Sequence, residues 1–236
     1  MTIAEMHIAV KLELDKTASL ELPAFEPEEI SYWLNSSIRR FVKSRYGGAN
    51  NKGTGFEETQ KRTDDIRTLI ERETVTTPSS SSDYPNGYIY TLPVEGSGVG
   101  SENYWVTLSE QCMISVDGTT SLVGITECTM DEYRQKLDDP YSEHILHYQT
   151  AKPLRLFDNE SVVLITDGNY TITSYYLTYL KKPAEVQLSG SLVIGVNCDL
   201  PEHTHDEIVK LAVSMMLENI EQPRYSTYMN EIGTME

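Results

Sequence analysis

The chain has 236 residues and a formal net charge of −17, with 36 acidic side chains against 19 Lys and Arg. That length buries enough surface for a core without covalent staples, and that charge repels phosphates, which disfavours sequence-independent grip on nucleic acid. Three cysteines, Cys112, Cys128 and Cys198, make neither an even framework nor a metal-ligand spacing and so fit a reducing compartment, and no stretch approaches the length of a membrane span.

The opening "MTIAEMHIAVKLELDK" has neither the basic start nor the apolar core of a signal peptide. Thr2 and Glu5 have capping-box spacing, and Ile3, Met6, Val10 and Leu14 share a helical face, which predicts a first helix. Met6, Ile8, Val10, Leu12 and Leu14 also alternate with period two, so a strand is the competing reading; the good helix formers decide for the helix.

"EPEEISYWLNSSIRRFVKSRYGG" predicts a second helix. Pro27 suits its first turn, Glu28 and Glu29 face the positive end of the helix dipole, and Arg39, Arg40, Lys43 and Arg45 the negative end. Ile30, Leu34, Ile38, Phe41 and Val42 form its apolar stripe, and Gly47 and Gly48 stop it. The following "GGANNKGTG" is no phosphate loop, because Lys52 precedes Gly53 instead of following the second glycine. "FEETQKRTDDIRTLIER" predicts a third helix, with Phe56, Thr59, Thr63, Ile66 and Ile70 on one side.

After Thr74 the period changes to two. "TTPSSSSDYPNG" and "EGSGVGSEN" read as loops around a strand "YIYTL"; "GSGVGS" is no dinucleotide fingerprint, since the strand "YWVTL" follows it where a helix should begin. "QCMISVDGTTSLVGITE" predicts a hairpin turning at Asp117 and Gly118, a register that sets Cys112 against Val123. Thr129 and Glu132 cap a short helix ended by Pro140; the strands "LRLF", "SVVLIT" and "YTITSYYLTYLKKP" follow. Tyr170, Tyr175, Tyr176 and Tyr179 on the last strand suit sheet packing better than a stacking platform, and His144 with His147 reads as a surface loop better than as a metal pair.

"CDLPEHTHDEIVKLAVSMMLENI" places His203 and His205 beside Cys198, Asp206 and Glu207. The spacing matches no zinc pattern, and a simpler account has Thr204 and Glu207 as a capping box for a helix from about His205 to Glu221. That helix is apolar on two faces, which predicts burial between partners or at a subunit interface, and Pro223 ends it.

These elements predict an α+β fold: a helical bundle from the N- and C-terminal segments, residues 1–75 and 186–236, with an antiparallel β-rich domain inserted at 76–185. No G-x-S-x-G, H-E-x-x-H or EF-hand loop occurs, so the sequence assigns no catalytic residue, metal or cofactor, and an interaction or structural role leads. Residues 36–72 hold nine basic side chains against five acidic ones while the remainder carries −21; that polarity suits docking between oppositely charged protein faces and makes Arg39, Arg40, Lys43 and Arg45 candidate interface residues.

"YWLNSSIRRFVKSRYGG", "GFEETQKRTDDIRTLI", "YYLTYLKKP" and "LPEHTHDEIVKLAVSMMLENIE" resemble segments of the ring, or head-to-tail connector, proteins of crAss-like bacteriophages. The resemblance implies a virion protein, assembled in the host bacterial cytoplasm, that forms a homo-oligomeric ring of about twelve copies beneath the portal. The ring would be closed by heterologous contacts, with neighbouring connector or tail proteins as further partners. It implies no enzyme activity, and passage of genomic DNA without specific binding, which the negative charge suits. It also implies that the tail from Arg224 reaches an adjoining subunit or the portal, with Arg224, Tyr225, Tyr228 and Met229 as interface residues. The other readings are a glycan- or receptor-binding tail module acting through the tyrosine-rich sheet, and a metal hydrolase built on residues 203–207.

Overall fold

The computed structural model describes residues 1–17, 25–47, 59–76, 78–93, 104–188 and 195–219. The chain divides into two compact units, one of residues 1–69 and 183–236, the other of residues 70–182.

In the first unit, α1 (Ile3–Thr17) starts with the expected reciprocal cap: the Thr2 N–H donates to Glu5 Oε2 at 2.7 Å and the Glu5 N–H to Thr2 Oγ1 at 3.4 Å. Burial settles the two competing periodicities. Ile3, Met6, Val10 and Leu14 are inside, while Ile8 and Leu12, which belong only to the alternating set, are 58% and 56% exposed. α2 (Pro27–Tyr46) has Pro27 at its first position and a capping box between Glu26 and Glu29. It buries Ile30, Leu34, Ile38, Phe41 and Val42, the stripe the sequence predicts, and closes with the Gly47 N–H on the Lys43 carbonyl at 3.0 Å.

α5 (His205–Asn219) packs on both α1 and α2. Its two apolar faces are mostly covered inside this unit: Ile208, Val209, Ala212, Val213, Met216 and Leu217 are buried, and Leu211 and Met215 half-buried. At about 1.5–3 kcal/mol for each large side chain removed from water, this three-helix contact is the unit's main source of stability. The helix that the sequence predicts to need outside partners is thus largely satisfied at home; Ile8, Leu12 and Tyr32 are the large apolar side chains left exposed on the described helices α1 and α2.

The third predicted helix is mostly absent. α3 covers only Gln60–Ile66, a 3-10 turn takes Arg67–Leu69, and Ile70–Val75 is a strand, β1. Phe56 lies outside the described residues. β1 pairs antiparallel with the C-terminal half of β9 (Thr171–Lys181), setting Ile70 against Leu180 and Val75 against Tyr175, with Glu71 and Lys181 joined at 3.3 Å. A long tyrosine- and leucine-rich strand offers this segment a ladder of hydrogen bonds, which outweighs the helix propensity of Glu71, Arg72 and Glu73.

The second unit holds two sheets. The first has order β1-β9-β4-β5, with β4 at Tyr104–Val116 and β5 at Thr119–Gly124. The β4–β5 hairpin turns at Asp117 and Gly118, both with positive φ (49° and 83°), and its register places Cys112 against Val123 as predicted. The second sheet has order β2-β3-β8-β7-β6, from Ser79–Ser80, Gly87–Thr91, Ser161–Ile165, Leu154–Asp158 and Thr126–Glu127 respectively. Tyr90, Val162 and Leu164 of that sheet share one core with Cys112, Ile114, Tyr175 and Leu177 of the other. On the far face of the second sheet, Leu154, Leu156, Val163 and Ile165 pack with Tyr133 and Leu137 of α4 (Tyr133–Asp138).

The expected helical bundle with an inserted β-rich domain is therefore corrected. Among the described residues there are five helices, and close to one third of those residues lie in strands of two sheets. The bundle loses a member where β9 draws residues 70–75 into a sheet.

Candidate functional site

Three of the four candidate basic residues of α2 stand toward solvent. Arg40 and Lys43 are exposed, one helical turn apart, and Arg39 is half-buried with an Nη1 bond to Glu185 at 3.3 Å. Arg45 is different. It is 2% exposed; its Nε donates to Asp65 Oδ2 at 3.0 Å, its Nη2 donates to Glu207 Oε1 at 2.6 Å, and its guanidinium lies 4.8 Å from the Phe41 ring centre. His203 Nε2 approaches the other Asp65 oxygen at 3.0 Å. The arrangement ties α2, α3 and the start of α5 through groups far apart in sequence. Burial pushes the Glu207 carboxyl above its ordinary range, with the Arg45 charge and hydrogen bond opposing the shift. Charge pairs of this depth hold geometry more than they add net stability.

Both histidines of the H-x-H segment have such partners. His205 is buried, with Nε2 at 3.0 Å from the Leu200 carbonyl; that nitrogen carries the hydrogen, which leaves Nδ1 as acceptor for the Met1 amino group at 3.0 Å. The Thr204 hydroxyl donates to the Pro201 carbonyl at 2.8 Å and Glu207 turns to Arg45, so the expected capping box is replaced by a 3-10 turn at Glu202–Thr204. Among the described residues, no three His, Cys, Asp or Glu side chains gather as a metal site. His144 and His147 lie in a loop, as expected, with His147 exposed; His144 turns inward, 2% exposed, with Nδ1 at 2.9 Å from Ser142 Oγ. Tyr170, just before β9, and Tyr175 and Tyr179 on it are buried too, and Tyr176 is half-buried, so these tyrosines pack the sheet and do not offer a stacking platform.

In the second unit a groove of about 380 Å³ runs beside the N-terminal half of β4, lined by residues 104–110 with Ile125, Glu127, Arg155 and Phe157. Arg155 crosses between the sheets: it bonds Glu110, which also accepts from the Tyr175 hydroxyl, and reaches Glu127 at 3.0 Å. Its guanidinium lies 4.4 Å from the Phe157 ring centre. Sequence reasoning missed both the Arg45 cluster and this groove, because each joins residues from distant segments; the spacing of β5 against the longer β4 was the available signal for the groove. The predicted interface residues Arg224, Tyr225, Tyr228 and Met229 lie outside the described residues, as do Lys52 and Gly53.

The Arg45 cluster is built of buried charge pairs, and the groove sets the Arg155 pairs among polar and apolar side chains; both suit holding protein geometry or another protein chain. Comparison with known proteins points the same way. A family model described as phage tail ring protein 3/4 matches residues 1–227. A curated relative named "Ring protein 4/5", from Bacteroides phage crAss001, is 24% identical over 210 residues, which is 82% of this chain and 82% of that protein.

Proposed function

The chain belongs to the phage tail ring protein 3/4 family, and from that premise we propose that it is a head-to-tail connector subunit: copies close into a ring that joins the portal to the tail and surrounds the path of the genome. Membership makes it a structural component of the virion; the connector position, the portal as partner, about twelve copies and the channel are the finer reading. The observation that carries it is a family match running over nearly the whole chain, residues 1–227, and not over one segment.

Three features support the reading. A net charge of −17 lets duplex DNA pass a protein wall without counterion-release binding. Ile8, Leu12 and Tyr32 leave apolar surface on α1 and α2, and Arg40 and Lys43 give α2 a basic strip, against a chain that is otherwise acidic, so a copy can present unlike faces to its two neighbours. No described helix is long and apolar enough to cross a membrane, which suits a particle component that assembles in the host cytoplasm. The test is co-expression with the portal protein of the same phage, followed by affinity capture of the portal and negative-stain imaging. Rings seated on the portal are expected; capture of the portal without this chain would refute the connector position.

A further inference from the structure

The groove beside β4 has one wall made of unpaired strand. β9 follows β4 from Tyr104 to Ser115, but β5 covers its other edge only from Gln111 to Val116, because the chain leaves the sheet after Gly124 to enter β6. The Tyr104 N–H is taken by the Pro93 carbonyl at 2.7 Å, and among the described residues no strand pairs with positions 105–110 on that side. The facing wall is open as well: β6 stops at Glu127 opposite Arg155, which leaves Phe157 43% exposed at the edge of β7. Between the walls, the buried Arg155 Nε has no hydrogen-bond partner among the described residues. A sheet edge with unmet N–H and C=O groups is a template for an added strand.

We propose that this groove receives residues Arg224–Met229 of a neighbouring copy, which add to the open edge of β4 as a short strand; the assignment to a neighbour rests on the ring reading above. Chain length allows it: the 17 residues after Asn219 span up to roughly 55–60 Å when extended, enough to reach an adjoining subunit. "RYSTYM" is rich in strand formers, with Tyr225, Thr227 and Met229 alternating against Arg224, Ser226 and Tyr228, and Pro223 before it opposes continuation of the helix. Charge agrees, because the Glu127 side chain at the groove rim is 80% exposed and can take Arg224 in addition to Arg155. Register shifts between Tyr104 and Val106 and between Thr107 and Ser109 break the regularity of this edge, so it suits a few residues of partner strand and not a long one.

The test uses the full-length chain. Trp33→Phe leaves Trp105, on the groove wall, as the sole tryptophan reporter, and Tyr225→Pro with Thr227→Pro removes the N–H groups the tail would contribute. A synthetic peptide of residues 220–236 should then change Trp105 emission saturably. Glu127→Lys in the protein should weaken that binding at least tenfold, and Arg224→Glu in the peptide should recover most of it. Chains carrying the two tail prolines should not form rings alone, nor should Glu127→Lys chains, while an equal mixture should give heterodimers. An unchanged emission, equal binding of a scrambled peptide, or a mixture that stays monomeric would overturn the proposal. Rings formed undiminished by proline-bearing chains would also overturn it while leaving the ring reading intact. If no chain forms rings, wild type included and with portal protein added, the ring reading falls and the titration still decides the groove.

Discussion

Arg45 and Glu207 meet at 2.6 Å across 162 positions of sequence, and both are more than four-fifths buried. The contact fixes the end of α2 to the start of α5, so the two segments that bracket residues 70–182 in the chain are locked by charge as well as by apolar packing.

Arg45→Ala leaves Asp65 and Glu207 facing each other without their shared cation. Breaking a buried pair by removing one partner costs about 3–5 kcal/mol, so the urea midpoint of the unit should fall sharply. Arg40→Ala, at an exposed position five residues earlier on α2, should change it by less than about 0.5 kcal/mol. Urea unfolding followed by far-UV circular dichroism separates the two.

Glu207 sets a pH dependence. Burial raises its pKa in the folded chain above that in the unfolded chain, so its contribution to stability is fully present below the unfolded value and is lost as pH rises through the folded value. Glu207→Gln keeps an oxygen acceptor for Arg45 and removes the titration. The variant should therefore gain stability relative to wild type as pH rises from about 4 toward 7, seen as converging or crossing urea midpoints; a constant offset across that range would contradict the assignment.

Two turn glycines should respond differently to alanine. Gly118 has φ of 83° with open space around a new Cβ, so Gly118→Ala costs only the left-handed strain of about 1–2 kcal/mol. Gly168 has φ of 86° and would set a Cβ 2.9 Å from Asn86 Nδ2, so Gly168→Ala should cost more. Thermal unfolding of the two variants gives the order.

The cysteines should label in sequence. Cys112 is fully buried, and burial pushes its thiol up to about 12, whereas Cys128 is only partly covered. A maleimide at neutral pH should modify Cys128 in the native chain and reach Cys112 only in denaturant; peptide mapping by mass spectrometry reads the sites.

Much of the local structure was legible. The face of α1, the stripe of α2 and the β4–β5 register each follow from a period of a few residues, and the family resemblance rested on long unusual strings near both ends. Non-local pairing was not legible. Residues 70–72 close a predicted helix that yields to β9, a strand a hundred residues later. Arg45 read as a charge at a helix end, and Glu207 as half of a capping box, because nothing in the sequence near either names the other. The apolar faces of α5 were visible, but whether α1 and α2 or another subunit covers them depends on packing that periodicity does not encode.

The ring itself is the claim on which the rest depends, and native mass spectrometry addresses it most directly. With portal protein present at equal subunit concentration, the account predicts one closed assembly whose mass holds a fixed whole number of 26.7 kDa chains, about twelve. A chain that stays at 26.7 kDa with and without the portal would contradict it.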